Sequence, residues 1–261
     1  MCRIFKILKL NADEIMAYMA GLVASDGTLS SANFYRVKII TSNRNFANLI
    51  TDLFKRINAN PRIYSYNGRK FEVYCYNKEL WWKLHVRFQI PCGRKSALIH
   101  PPRDLKFAES LSFLRGLLDG DSSIFILKTI LRREQSSYSY LMPRIAYKSK
   151  SPEIVLWSLE LLKELRMTPY LANDVKAYRW HLDGLPNMRK FYTRLGYMHP
   201  EKNLRLKHIL MLGRGQAYYI HIRPPEKERV TAHPPRLGAP KIDGPKRAAE
   251  TPGHPADAGW R

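Results

Sequence analysis

Two ten-residue stretches constrain this chain more than anything else in it. Residues 18–27 read YMAGLVASDG and residues 113–122 read FLRGLLDGDS. Each is an apolar, small-residue-bearing helical run that stops at an acid, Asp26 or Asp121. The two acids lie 95 residues apart, about the length of a small domain, so the spacing itself suggests a duplicated unit. A single Asp-Gly after a helix is ordinary C-terminal punctuation. Two copies in matched surroundings ask for a shared purpose.

The surroundings do match. After Asp26 come a turn and FYRVKIIT (34–41), whose alternation reads as a strand. A helix over SNRNFANLITDLFKRI follows, then strands PRIYSY and KFEVYCY joined by Asn67-Gly68, a hairpin signal, and a helix over KELWWKLHVRF. After Asp121 the order recurs: strands SIFILKTIL and YSYLMPRIAY, then a helix opened by Ser151 as N-cap with Pro152 at N1. Strands TPYLAN and AYRWHL and a helix near LPNMRKFYTRL complete the copy. IPCGRKSAL (90–98) and YMHPEKNLRL (197–206) even close the two units in similar words. The expected class is α+β: two pseudo-symmetric αββαββα repeats, each with a curved antiparallel sheet, packed through the two motif helices. The expected boundaries are 1–99 for the first repeat, 100–110 for a Pro-containing linker, and 111–221 for the second repeat. Residues 222–261, with eight prolines and almost no large apolar side chain, read as a tail without a core.

Charge narrows the partners. Lys and Arg number 44 against 22 acids, a net charge of +22, and the tail carries only eight of those cations against five acids. The excess therefore belongs to the folded part, and with 15 Tyr and 5 Trp it points to nucleic acid. No apolar run approaches the roughly 18 residues of a membrane span. The opening MCRIFKILKL has the form of neither a signal nor a transit peptide. Three scattered cysteines, Cys2, Cys75 and Cys92, suit a reducing compartment and argue against a thiolate zinc site. The eight His contain no HExxH, and no phosphate-cradling glycine loop occurs.

Gly21 and Ser25 in one copy, and Gly116 and Gly120 in the other, are four apart and share a helix face. Small residues there let two helices approach closely and end together, bringing Asp26 near Asp121. Both motifs resemble those of the LAGLIDADG homing endonucleases in their single-chain, double-motif form. Each copy keeps the motif's glycine (Gly21, Gly116) and its eighth-position acid (Asp26, Asp121); the first has Ala24 where an earlier acid stands, and the second has Asp119 there but Ser122 for the last glycine. Asp119, two residues before Asp121, is expected to face elsewhere and to hydrogen-bond.

The resemblance implies a monomeric, site-specific endonuclease that makes a metal-dependent double-strand break in a long DNA target and so spreads its host intron. Asp26 and Asp121, with the backbone carbonyls of Ser25 and Gly120, would hold the metals. Two carboxylates at adjacent negative helix ends call for cations, and hard oxygen ligands point to Mg²⁺. Lys148, just before the Ser151 cap, resembles the family's lysine near the active-site water; a plain phosphate contact is the alternative. Strand alternation supplies the expected DNA face: Arg36 and Lys38; Arg62, Tyr64 and Tyr66; Arg144 and Lys148; and Lys176, Arg179 and His181. Two other functions fit the same fold: an RNA maturase acting on intron RNA, and a DNA-binding regulator that does not cut. The expected location is the cytoplasm or nucleoid of a prokaryote, ahead of an organelle matrix.

Overall fold

The computed structural model describes residues 10–31, 34–93, 97–133, 136–172, 174, 176–212 and 219–222, of which 129–133, 136–140 and 219–222 are described by their backbone alone. The chain divides into one unit over 1–223 and a second over 224–261, which lies wholly outside the described residues together with the start of the chain. The expectations for residues 1–9 and for the tail beyond Ile222 therefore fall outside the description.

The first repeat runs α1 (Ala12–Asp26), β1 (Gly27–Ser30), β2 (Arg36–Thr41), α2 (Arg44–Arg56), β3 (Arg62–Tyr66), β4 (Lys70–Tyr76) and α3 (Lys78–Trp82), which continues as a π-helical turn, Lys83–Arg87. The second runs α4 (Phe107–Asp121), β5 (Ser122–Arg133), β6 (Ser136–Ser149), α5 (Pro152–Glu164), β7 (Tyr170–Ala172), β8 (Tyr178–Asp183) and α6 (Gly184–Arg194), followed by α7 (Pro200–Leu212) and β9 (Tyr219–Ile222). The sheets have the same strand order, β1-β2-β4-β3 and β5-β6-β8-β7, all antiparallel, and β9 adds to β6. The fold is α+β with two pseudo-symmetric αββαββα repeats, as the duplicated motifs imply.

Local chemistry starts these elements where the sequence suggests. Asn11 and Glu14 form a reciprocal capping box at α1, with bonds of 2.9 and 3.0 Å. Asn43, Asn77 and Ser151 cap α2, α3 and α5 by accepting from the third following backbone N–H. Asn67 and Gly68 take φ of 52° and 67°, the left-handed pair that a two-residue hairpin turn requires. On each sheet, one face is core: Val37, Ile39, Val73 and Cys75 in the first, Ile124, Ile145, Tyr147 and Trp180 in the second, all buried.

The structure departs from the sequence reading in four places. The segment after Asp26, read as a turn, is the four-residue strand β1, which begins with no intervening loop. Gly27 permits this, since a Cβ there would sit 2.6 Å from Val23 Cα and 2.7 Å from the Lys38 carbonyl oxygen. The last residues of the expected linker belong to α4, which starts at Phe107. Residues 200–212 form a helix, α7, where the sequence shows only a rhyme between the two copies. And β9 extends the second sheet by long-range pairing with β6, which no local pattern announces.

At the centre, α1 packs on α4 through reciprocal glycines. A Cβ on Gly21 would lie 2.1 Å from Phe113 O and 2.8 Å from Leu117 N; one on Gly116 would lie 2.1 Å from Tyr18 O and 2.9 Å from Leu22 N. Gly21, Tyr18 and Leu22 stand in the same 95-residue offset from Gly116, Phe113 and Leu117 as the two acids do, so the contact is twofold in character. The backbones touch, and both helices must end together.

Candidate active site at the ends of the motif helices

Asp26 and Asp121 are the terminal residues of α1 and α4, and both are exposed. One step before them, Ser25 and Gly120 meet face to face: a Cβ on Gly120 would fall 2.0 Å from Ser25 Oγ and 3.1 Å from Asp26 Oδ2. Ser25 Oγ donates back to its own helix, to the Gly21 and Leu22 carbonyls at 3.1 Å each. The glycine is thus what allows the two acid-bearing helix ends to close on each other.

Each acid opens into its own cleft. Asp26 and Gly120 line one of about 920 Å³ with Arg69, Lys70, Lys202 and Arg205. Asp121 and Ser25 line another of about 450 Å³ with Lys148, Lys150 and Lys176. The charge of Asp121 reaches buried Tyr147, whose hydroxyl is held well above the usual range, mainly by burial. The two clefts are unequal. The β1–β2 and β5–β6 registers equate Gly27↔Ile39 with Ser122↔Tyr147, so the first-repeat counterpart of Lys148 is Ile40.

Lys202 is the residue that sequence reasoning missed. Its Nζ donates to the last three carbonyls of α4 before the terminal acid: Leu118 at 3.0 Å, Asp119 at 2.6 Å and Gly120 at 2.9 Å. An ammonium at a helix C-terminus meets the negative dipole end and the unsatisfied carbonyls together. Burial lowers the Lys202 pKa, while the charges of Asp119, Asp26 and Asp121 oppose that fall. Its seat is built by the buried Asp119, which accepts from Tyr18 Oη at 2.7 Å across the repeat interface and from Met198 N and His199 N at 3.0 and 3.2 Å. Burial raises Asp119 to about 6 against those stabilising bonds. Asp119 thus faces away from the Asp121 side and hydrogen-bonds. His199, its ring tilted against Phe46 with centroids 4.3 Å apart, accepts the Lys202 N–H at its Nδ1 at 3.4 Å and so caps α7; burial and the neighbouring Lys202 charge push it down to about 4. The only sequence signal for Lys202 was the rhyme between GRKS and PEKN; Lys95, in the first of these, lies outside the described residues.

The expected DNA-facing residues lie on the sheet faces away from the core. Arg36, Lys38, Arg62, Tyr64 and Tyr66 share one face of the first sheet by register. Arg144, Lys148, Arg179 and His181 share one face of the second, and Lys176 lies just before β8 in the Asp121 cleft. Acids interleave with these cations. Glu72, 5% exposed, pairs with Arg36 and lies 3.8 Å from Lys38. Asp183 takes a bidentate pair from Arg144 at 2.7 Å each, raising the arginine above its ordinary range. Asp174 pairs with Arg179 and with Lys148 at 3.4 Å. His181 is only 8% exposed, and burial with the Arg144 charge lowers its pKa.

The donors at the helix ends suit a hard divalent ion: carboxylate and carbonyl oxygens, which the absence of a side chain on Gly120 lets approach one another closely. Among the described residues no three His, Cys, Asp or Glu side chains cluster as a metal cage. No described helix is long and apolar enough to cross a membrane.

Paired motif helices between two αββαββα repeats define the two-repeat LAGLIDADG fold, and solved structures carry it. A mesophilic variant of the homing endonuclease I-DmoI matches with a TM-score of 0.50 and 18% identity, over 76% of this chain and 100% of that one. I-DmoI in complex with DNA and Ca matches with a TM-score of 0.50 and 17% identity, over 76% of this chain and 100% of that one. Full-length DUF199/WhiA from Thermatoga maritima also reaches 0.50, at 13% identity, over 78% of this chain and 63% of that one. No protein-family model matches the sequence, and comparison with curated protein sequences finds no match.

Proposed function

We propose that this protein is a site-specific DNA endonuclease that cuts both strands of a long duplex target in a divalent-metal-dependent reaction, acting as a monomer to spread a host intron in a prokaryotic cell. The observation that carries the proposal is the convergence of two carboxylate-terminated helices across Ser25 and Gly120, each opening into a separate cation-lined cleft. One centre per strand is what a double-strand break needs. The likeness to I-DmoI, solved with DNA and Ca, supports the same reading.

In this reading the outer sheet faces lie on the duplex. Arg62 and Lys176 contact phosphates, while Arg36 and Arg144 stay oriented by Glu72 and Asp183 until DNA arrives. Tyr64 and Tyr66 read base edges, and the nearly buried His181 contributes less. Asp26 with the Gly120 carbonyl, and Asp121 with the Ser25 carbonyl, would hold Mg²⁺ ions. When bound, such an ion supplies a more acidic water and charge stabilisation for an in-line displacement at phosphorus. Lys148, at the mouth of the Asp121 cleft, stabilises charge on the phosphate being cut there.

The test is direct. The DNA flanking this reading frame, joined without it, is incubated with the protein and Mg²⁺. Linear products with a defined end support the proposal; specific binding without any cut contradicts it. Binding without cutting, as a regulator, is the second reading. One observation favours it: the Gly120 carbonyl is already satisfied by Lys202. Preference for intron RNA over the joined DNA would instead support the maturase role.

A further inference from the structure

The Lys202 ammonium stands where a cation is wanted. It touches three consecutive carbonyl oxygens at 2.6–3.0 Å, one of them the Gly120 oxygen proposed above as a metal ligand. Its position is fixed by several groups: Asp119 pins the backbone of Met198 and His199, His199 caps the first turn of α7, and Asn43 Nδ2 of the first repeat donates to Glu201 Oε1 at 2.6 Å. The cradle spans both repeats, because Asp119 also takes the Tyr18 hydroxyl from α1.

We propose that Lys202 is the resident cation of the Asp26–Gly120 centre and competes with the divalent metal for it, so that this centre loads only when the ammonium leaves the Gly120 carbonyl. The inference rests on the reading of Asp26 and Gly120 as metal ligands. Its physical basis is short. A carbonyl oxygen has two lone pairs, so geometry alone would let an ammonium and a metal share it. Their charges would then stand within a few ångströms of each other in a partly buried site, where like charges repel strongly. Lys202 therefore acts toward the metal as a gate. It keeps the helix end neutralised in the metal-free protein and makes occupancy of this centre depend on a rearrangement, such as a DNA phosphate drawing the ammonium away.

The consequence is a centre whose intrinsic metal affinity is masked by a side chain. Removing the charge unmasks it. Lys202→Gln keeps a donor for the carbonyls without the charge, and Lys202→Met removes both.

The experiment is equilibrium binding of Mn²⁺ to the full chain without DNA, followed by the electron paramagnetic resonance signal of unbound Mn²⁺. Lys202→Gln should bind one Mn²⁺ roughly ten- to a hundredfold tighter than the unsubstituted protein, the scale on which a like charge within about 4–6 Å shifts an equilibrium. Adding Asp26→Asn to Lys202→Gln should abolish the gain. Lys202→Met should behave alike, and a thermal melt of each variant establishes that it is folded. Mn²⁺ affinity unchanged or weakened in folded Lys202→Gln overturns the gate while leaving the metal site standing. Absence of Mn²⁺ binding at millimolar concentration in every variant overturns the metal reading of Asp26 and Gly120, and the gate with it.

Discussion

Placing a methyl group on Gly21 or Gly116 tests the geometry on which everything else depends. A Cβ at either position would stand 2.1 Å from a carbonyl oxygen of the opposite helix, Phe113 O or Tyr18 O. Carbon–oxygen contacts settle near 3.3–3.6 Å, so α1 and α4 must part by about 1 Å along that direction. A gap of 0.5–1 Å forfeits a quarter to a half of each dispersion contact it opens. Overpacked core substitutions cost about 1–3 kcal/mol, and backbone-against-backbone contact leaves little room to relax, so about 3 kcal/mol is expected. Alanine's helix propensity returns roughly 1 kcal/mol. The net loss of about 2 kcal/mol, at about 2–4 °C per kcal/mol for a protein of this size, lowers Tm by roughly 4–8 °C for either Gly21→Ala or Gly116→Ala. Both substitutions force the same separation, so the double variant should lose far less than the sum. Differential scanning calorimetry of the four proteins reads this directly. A rise in Tm for either single variant, or strict additivity in the double, would refute close helix contact as the source of the alignment of Asp26 with Asp121.

Lys148→Met should slow cutting more than it weakens binding, whereas Lys38→Met should weaken binding and reduce the salt slope by about one unit, read from affinities across a salt series; changes in affinity alone for both would make Lys148 a phosphate contact. His199 has a folded pKa near 4 against 6.5 for the free side chain, so the unfolded chain binds the extra proton first. Its stabilising contribution is complete above pH 6.5 and is lost as pH falls from there toward 4, on the order of 2 kcal/mol after allowing for its partial exposure. His199→Asn keeps an N-cap acceptor but does not titrate there, so thermal melts should show a flatter Tm between pH 6.5 and 4.5; an unchanged acid slope would rule His199 out as the sensor.

Much of this architecture can be read from short-range chemistry. Asn67-Gly68 announces its turn because few other residue pairs tolerate two positive φ values, and Ser151-Pro152 announces a helix start because cap and ring both favour it. The twin acids are legible because the same small-residue face recurs 95 residues on. What stayed hidden depends on contacts distant in sequence. Lys202 meets the end of α4 across more than 80 residues, and nothing in PEKNLRL beyond its likeness to the close of the first repeat marks it apart from any cation on a solvated helix. The Glu72 and Asp183 pairs are likewise invisible, because alternation reports which face a residue takes but not which charge stands on the neighbouring strand. The strand β1 escaped for a third reason: four residues are too few for periodicity to speak.

Cleavage and binding by Asp26→Asn and Asp121→Asn, measured side by side on the flank-joined DNA, test the central claim most directly. Asparagine keeps the shape and hydrogen bonding of each helix end and removes the charge that would hold a metal ion there. The expected result is loss of double-strand cleavage in each variant in the presence of Mg²⁺, with gel-shift affinity for the same DNA close to that of the unsubstituted protein. Full cleavage by either variant would make these acids mere helix stops and would contradict the endonuclease mechanism built on them.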